Sequence, residues 1–464
     1  MKEQFRFSGE WCDPAGLLQL SKEQKDVRAV WRRPMEYLPL QGAKKNGSEG
    51  GPKPVAKWSD VAVISAVDPY CISQTLIADC SFVCSLCIAA AFEKRFNKRL
   101  ITRIIYPQNS AGEPLVNPFG KYLVKLHFNG VERKVVVDDR LPTHPTTGDL
   151  LCSHSISPDP HELWVSLIEK AYMKLHGGYN FPGSNSGIDL FALTGWVPEH
   201  VRFVDDAVGV APATAAARSD AQTVDRAWQR LHSAHKFGDC LITVATPGDL
   251  SQTAQDTTGL VDGHAYAVLD VVEAGRLRML RVKNPWARRP WIGRFSSKDQ
   301  AAWTPGLRKV LGIRPTGEGG EDDFAILERA GIFWIEFNDC RKFFDSFVLS
   351  WNPSLFPFRL KLHDSWPVSQ GPRKDTYFVG ENPQFSLLVD RPGAIATAAC
   401  RNTKAKPSAS ASSLTVSVWI LLTRHVIDTR AEEGDKGPPQ GPDDSRMLAL
   451  HCYRGTKVAL SVEV

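Results

Sequence analysis

The 464-residue chain carries 56 Lys and Arg against 51 Asp and Glu, a formal net charge of +5, with 43% hydrophobic and 23% charged residues. That balance is ordinary for a globular protein. With no long basic stripe it argues against nucleic acid or an anionic membrane as partner. The length exceeds one ordinary core and predicts about three domains of roughly 100–200 residues each.

Charges interrupt the opening MKEQFRFSGEWCD, so it reads as neither a signal peptide nor an anchor. The stretch GAKKNGSEGGPKP (42–54) has linker composition. Residues 1–60 are accordingly expected to be an N-terminal extension or linker. Asp79 is a candidate helix N-cap, and the helix CSFVCSLCIAAAFEKRF follows it. Apolar side chains occupy most of its circumference, which predicts burial on nearly all sides. KYLVKLHFNGVERKVVVDDRLP (121–142) reads as two strands around Asn129-Gly130. HELWVSLIEKAYMKLHGGY (161–179) has helical spacing and closes at Gly177-Gly178.

A polar, Ala-rich stretch (207–222) then breaks the pattern, and strand-like runs follow at 239–245, 264–272, 277–284 and 332–337. FVLSWNP, QFSLLVD and TVSVWILLTRHV are β-rich, and the loops 403–413 and 431–444 between them are low-complexity. The longest apolar runs, near 83–92 and 416–422, fall far short of the ~20 residues of a membrane helix. Ten cysteines without a secretory signal point to a reducing, cytoplasmic setting.

Cys80, Cys84 and Cys87 lie within one helix. A cysteine attacks an amide carbonyl as thiolate, and a helix N-terminus favours that charge. Cys80, first after the N-cap, is the candidate nucleophile, while Cys84 and Cys87 read as core. Their spacing also matches a radical S-adenosylmethionine iron–sulfur site. That chemistry needs a loop around the cluster, and here the three are strung along about 10 Å of apolar helix.

His264 opens one strand after Gly263, and Asn284 closes the next. The midpoint between them falls at Ala274, in the intervening turn. A hairpin in that register would make them cross-strand neighbours, with Cβ atoms about 4.5–5.5 Å apart. Asn284 could then orient the imidazole while its other nitrogen faces the sulfur. Gln74, six residues before Cys80, is a candidate oxyanion donor together with the Cys80 N–H. Trp286 would shield the Asn–His bond. Gly263 and Gly195 would line the cleft, where a substrate backbone comes close.

The segments QTLIADCSFVCSL, ELWVSLIEKAYMKLHGGY, GHAYAV and RVKNPWA resemble, in this order, four blocks of the calpain family of papain-like cysteine proteases. ADCSFV, RFNKRLITRIIYPQN, GGYNFPGSNS and ALTGWVPE resemble more narrowly its atypical PalB-like branch, the calpain-seven type. The resemblance covers roughly residues 60–345. It implies an α+β fold: a two-lobed core, lobe 1 over 61–200 and lobe 2 over 201–345, then a C2-like β-sandwich over 346–464. It also implies an intracellular endopeptidase acting on proteins through a thioester.

Conventional calpains bind Ca²⁺ in each lobe, and Ca²⁺ takes six to eight oxygens. At the matching acidic positions this chain has Cys71, Pro290, Ser297, Ala330 and Ile332, and Pro69 replaces a lobe-linking arginine. The expectation is therefore no metal in the core and no cofactor. The resemblance also implies endosomal-sorting partners. The N-terminal trafficking domains and second sandwich typical of PalB-like relatives do not appear in these residues, so a fragment or a short relative is expected. The competing class is a weakly active or inactive calpain-fold scaffold. A transglutaminase-like acyltransferase would use an acidic orienter where Asn284 stands.

Overall fold

In the computed structural model the described residues are 3–45, 57–156, 160–202, 220–287, 289–314, 322–364, 384–387, 418–423, 425, 449–453 and 458–463. The chain divides into two compact units, Met1–Pro357 and Phe358–Val464. The fold mixes helices and sheets, as expected of the α+β class.

Lobe 1 is built around helix α1 (Cys80–Phe96), whose side chains from Ser81 to Ala90 are all buried. The helix stops where Asn97 turns left-handed, at φ 52°. The Glu93 carboxylate accepts the N–H groups of Leu100 (2.8 Å) and Ile101 (2.7 Å), which bends the chain away. Strands β1 (Lys121–Phe128) and β2 (Val131–Asp138) pair antiparallel. Asn129 and Gly130 both have positive φ, as a two-residue hairpin turn requires. Helix α2 (Trp164–Leu175) packs on α1 through Phe82 and Tyr172, whose rings stack at 4.0 Å. Helix α3 (Ser186–Thr194) starts at an Asn185 cap and ends at Gly195.

The N-terminal residues differ from the expectation of a linker. Val30–Arg32 pairs with Leu141–Thr143, Tyr37 is fully buried, and Arg33 forms an ion pair with buried Asp139. Residues 3–45 thus belong to lobe 1. Their anchors are single residues scattered among polar ones, which leaves no periodicity to read. Residues 46–56 of the proposed linker lie outside the described residues, as do 203–219.

Lobe 2 is a six-stranded antiparallel sheet. Its strands are β3 (Val197–Arg202), β4 (Cys240–Ala245), β5 (Ala265–Ala274), β6 (Leu277–Lys283), β7 (Ile332–Glu336) and β8 (Ser346–Trp351). The spatial order is β3-β8-β4-β5-β6-β7. Helix α4 (Asp220–Phe237) packs beside β4 and β5. Here the boundary expected at 345/346 is corrected. β8 pairs on both sides within this sheet, so it belongs to lobe 2. Its central residues, Phe347 to Ser350, are all buried, and a strand buried on both faces reads from sequence like one from any β module. Similarly, β3 begins at Val197, inside the stretch assigned to lobe 1.

The lobes meet through β5. Ala265, Ala267 and Leu269 join the core that surrounds α1, while Tyr266 and Val268 face the opposite core with Trp228 and Trp291. This is the period-two alternation of a strand with both faces covered.

In the second unit, β9 (Gln384–Leu387), β10 (Ala449–Tyr453) and β11 (Val458–Glu463) form an antiparallel sheet in the order β9-β11-β10. The loops 403–413 and 431–444, and most of TVSVWILLTRHV, lie outside the described residues. Among the described residues no helix is long and apolar enough to cross a membrane.

Candidate active site

Cys80 is the first residue of α1 and is half-buried. Asp79 takes the N-cap position but does not cap with its side chain. Its carboxyl is buried and instead accepts the Gln74 amide at 3.0 Å. Burial beside Glu169 and Asp189 pushes the Asp79 carboxyl well above its usual range. Cys80 also departs from the thiolate that its helix position alone favours. Burial pushes its thiol up, and Asp79 adds to this, while hydrogen bonds with the Ala265 and Ser81 main chain pull the other way.

The helix that Cys80 begins packs against the core that contains Ala265, the residue that follows His264. Cys84, one turn deeper, donates its S–H to the Ala265 carbonyl at 2.8 Å. Cys84 and Cys87 are fully buried in the core.

The imidazole is fixed from several directions. His264 Nε2 meets Asn284 Oδ1 at 2.9 Å. That oxygen also accepts the Trp286 N–H at 3.0 Å, and two donors on one atom define which way the amide points. Nε2 therefore carries the hydrogen, and Nδ1 is left as an acceptor. The Trp286 ring lies 4.6 Å from the imidazole, and the Tyr266 ring meets it edge-on at 4.9 Å. Burial lowers the imidazole to about 4, against the opposing pull of the Asn284 bond.

His264 and Asn284 come together in a register other than the symmetric one expected. The β5–β6 turn is Gly275-Arg276, since Ala274 pairs with Leu277. A bulge between Val268 and Asp270 then shifts the register, and Ala267 pairs with Lys283. His264 thus sits diagonal to Asn284, beyond the first residue of β5. Diagonal side chains remain within reach when long.

The structure also shows supports that sequence reading missed. The Thr246 hydroxyl accepts the His264 N–H at 2.9 Å, and the Thr246 N–H donates to the His264 carbonyl at 3.0 Å. The Tyr266 hydroxyl accepts the Val261 N–H at 2.8 Å. Tyr266 was discoverable, because it lies two residues after His264 on the same strand face. Thr246 arrives from a different strand end and leaves no local signal.

Gln74 is buried, and its amide donates to the Ile77 carbonyl (2.8 Å) and to Asp79. Its main-chain N–H reaches Pro285 O at 3.2 Å, which ties the segment before Cys80 to the Asn-Pro-Trp segment. Gly263 is exposed, with φ 53°, and a Cβ there would touch only Gly248 at 3.6 Å. Gly195 ends α3 at φ 73°, and a Cβ there would press on the His127 ring at 2.9 Å. Helix termination and that close approach account for glycine at this position.

A profile of the calpain family of cysteine proteases matches residues 12–350. The chain belongs to the calpain family. The match begins in the N-terminal segment that packs on lobe 1 and runs to the end of the lobe-2 sheet, so the calpain core includes both. Calpain-7 of Mus musculus is 42% identical over 430 residues, and so is calpain-7 of Homo sapiens. In each case 92% of this chain is covered. The calpain-like protease palB/RIM13 of Aspergillus oryzae is 33% identical over 447 residues, 96% of this chain. The chain spans less than half the length of these relatives, 45% and 44%.

Proposed function

We propose that the chain is a cysteine endopeptidase that cleaves protein substrates through a Cys80–His264–Asn284 triad. The observation that carries this is the 2.9 Å His264–Asn284 bond, beside Ala265, whose carbonyl accepts the Cys84 thiol one turn into the helix that Cys80 begins. His264 Nδ1 takes the thiol proton as sulfur attacks the peptide carbonyl. The C–N bond breaks, the amine leaves with that proton, and a thioester remains. Water, deprotonated by His264, then attacks the thioester, releases the acid and restores the thiol. The Cys80 N–H and Gln74 bind the oxyanion, and Gln74 trades its bond to Asp79 or Ile77 for that contact. Trp286 and Tyr266 keep water from the imidazole, and Gly263 leaves room for the substrate backbone. A cysteine-directed peptidyl inhibitor is expected to label the wild type at Cys80, as read by peptide mass spectrometry. Label confined to other cysteines would end this reading.

A second reading, a weakly active calpain-fold scaffold, is favoured by one observation. A raised thiol and a lowered imidazole leave the pair neutral at rest. The same labelling experiment separates the two.

The reading also includes catalysis without Ca²⁺ in the core. Ala330 and Ile332 are buried and uncharged, and the Lys283 ammonium donates to the Ala330 carbonyl at 2.6 Å. A fixed cation at that carbonyl opposes a second one. Calorimetric titration with Ca²⁺ is expected to show no tight site. An isotherm lost on Glu328→Gln, the carboxylate that accepts the Ser297 hydroxyl, would overturn this. Cys12, Cys71, Cys80, Cys84, Cys87, Cys152, Cys240 and Cys340 are free thiols, which supports a reducing, cytoplasmic setting. Endosomal-sorting proteins are proposed as partners on the strength of the PalB-like resemblance.

A further inference from the structure

We propose that Arg95 is a positioning residue that sets the alignment of Cys80 with His264 from the far end of the same two elements. The inference rests on the protease reading above. α1 begins with Cys80 and carries Arg95 in its last turn, while β5 begins after His264 and carries Asp270. Fifteen residues of helix span about 22 Å, and six residues of strand span about 20 Å. The two elements are also tied at both ends. Near the site, Cys84 binds the Ala265 carbonyl at 2.8 Å, and at the far end Arg95 Nη1 meets Asp270 Oδ1 at 3.3 Å. Helix and strand therefore run side by side in the same direction with matched lengths.

Between the ties the contact is apolar. Ala265, Ala267 and Leu269 pack against α1. Such packing is non-directional, and two alanines offer little relief against sliding. A polar tie supplies the missing direction. The bulge between Val268 and Asp270 makes this tie possible. Before it, even-numbered residues face away from α1; after it, odd-numbered Val271 does. The parity change brings Asp270 to the α1 side, a re-aiming that bulges commonly perform.

Lobe 2 holds the carboxylate ready. Asp270 Oδ1 lies 3.2 Å from His235 Nε2 and accepts the Val271 N–H at 3.0 Å, and the carboxylate pairs with Arg281 at 3.4 Å. Arg95 also contacts the His235 ring. The Arg95 and Asp270 side chains are 38% and 26% exposed, so the pair adds little to overall stability. A misplacement of about 1 Å at the reacting atoms can nonetheless cost up to about 10²-fold in turnover. A small effect on stability with a large effect on kcat is the signature of a positioning role.

The test compares Arg95→Met with Arg278→Met, which removes the same charge wholly within lobe 2, from an ion pair with Asp225 that leaves Asp270 untouched. Peptide hydrolysis by Arg95→Met is expected to lose about 10–10²-fold in kcat, with KM and melting temperature nearly unchanged. Arg95→Lys should recover part of the loss, and Arg278→Met should stay within about twofold of wild type. Wild-type kcat in Arg95→Met, or an equal loss in both variants, would overturn the proposal. Wild-type protein that neither hydrolyses peptide nor labels at Cys80 would instead refute the protease reading. In that case the alignment is read by hydrogen exchange at residues 80–84 and 264–268. Faster exchange in Arg95→Met than in Arg278→Met supports the tie, and equal exchange sinks it.

Discussion

His264→Ala is expected to lower kcat by about 10²–10⁴-fold while KM changes little, as measured by steady-state hydrolysis of a peptide substrate. The imidazole acts in the transition state, taking one proton and giving it back, so its loss falls on kcat. The buried ring contributes little surface for substrate, because Trp286, Tyr266 and Asn284 already enclose it. The sign of the pH dependence follows from burial. A base lowered to about 4 stays unprotonated through the weakly acidic range, so the acid limb of kcat/KM should lie near 4 instead of near 6.5. Asn284→Asp places a carboxylate against Nε2. Opposite charge favours the imidazolium, so the acid limb should move upward. An unchanged limb in that variant, or an undiminished kcat in His264→Ala, would remove His264 from the chemistry.

The parts of this site legible in the sequence are those that depend on local rules. A helix that begins at residue 80 follows from the apolar run after Asp79, and the β5–β6 pair follows from two apolar runs around a glycine turn. The register between them was not legible, because a single bulge decides it and VLDVVEA gives no sign of where the extra residue falls. Asp79 holds the N-cap position expected of it, but what its side chain does there was hidden for a different reason. Cap preference assumes a solvated carboxylate, whereas here the group is buried beside Glu169 and Asp189 and serves Gln74. Long-range placement was hidden as well. Nothing in FVLSW distinguishes a central strand of lobe 2 from a strand of the following module, and only its partners Val197–Arg202 and Cys240–Ala245 decide. Arg95 and Asp270 lie 175 positions apart, so their meeting is a property of the fold alone.

Gly331→Ala couples stability to the site, and its outcome separates two physical costs. Gly331 sits at φ 71°, a region that costs an alanine about 1–2 kcal/mol. An added Cβ would also overlap the Asn284 carbonyl oxygen and come within 2.8 Å of Ala287 Cα. Both neighbours are main chain and cannot rotate aside, so overpacking adds about 1–3 kcal/mol. Together these predict a loss of about 2–5 kcal/mol in denaturant unfolding. The strain falls where it matters for turnover. The Gly331 carbonyl accepts the Asn284 N–H at 2.8 Å, so relieving the overlap moves the residue that orients His264. kcat should therefore drop at least about tenfold even in the folded fraction. Gly275→Ala supplies the control. Gly275 has a similar φ of 65°, at the β5–β6 turn, with nothing within 4 Å of an added Cβ. It should lose only the conformational cost, about 1–2 kcal/mol, and keep its kcat. Equal destabilisation of the two variants, or full turnover in Gly331→Ala, would show that the Asn284 main chain is not held by this contact.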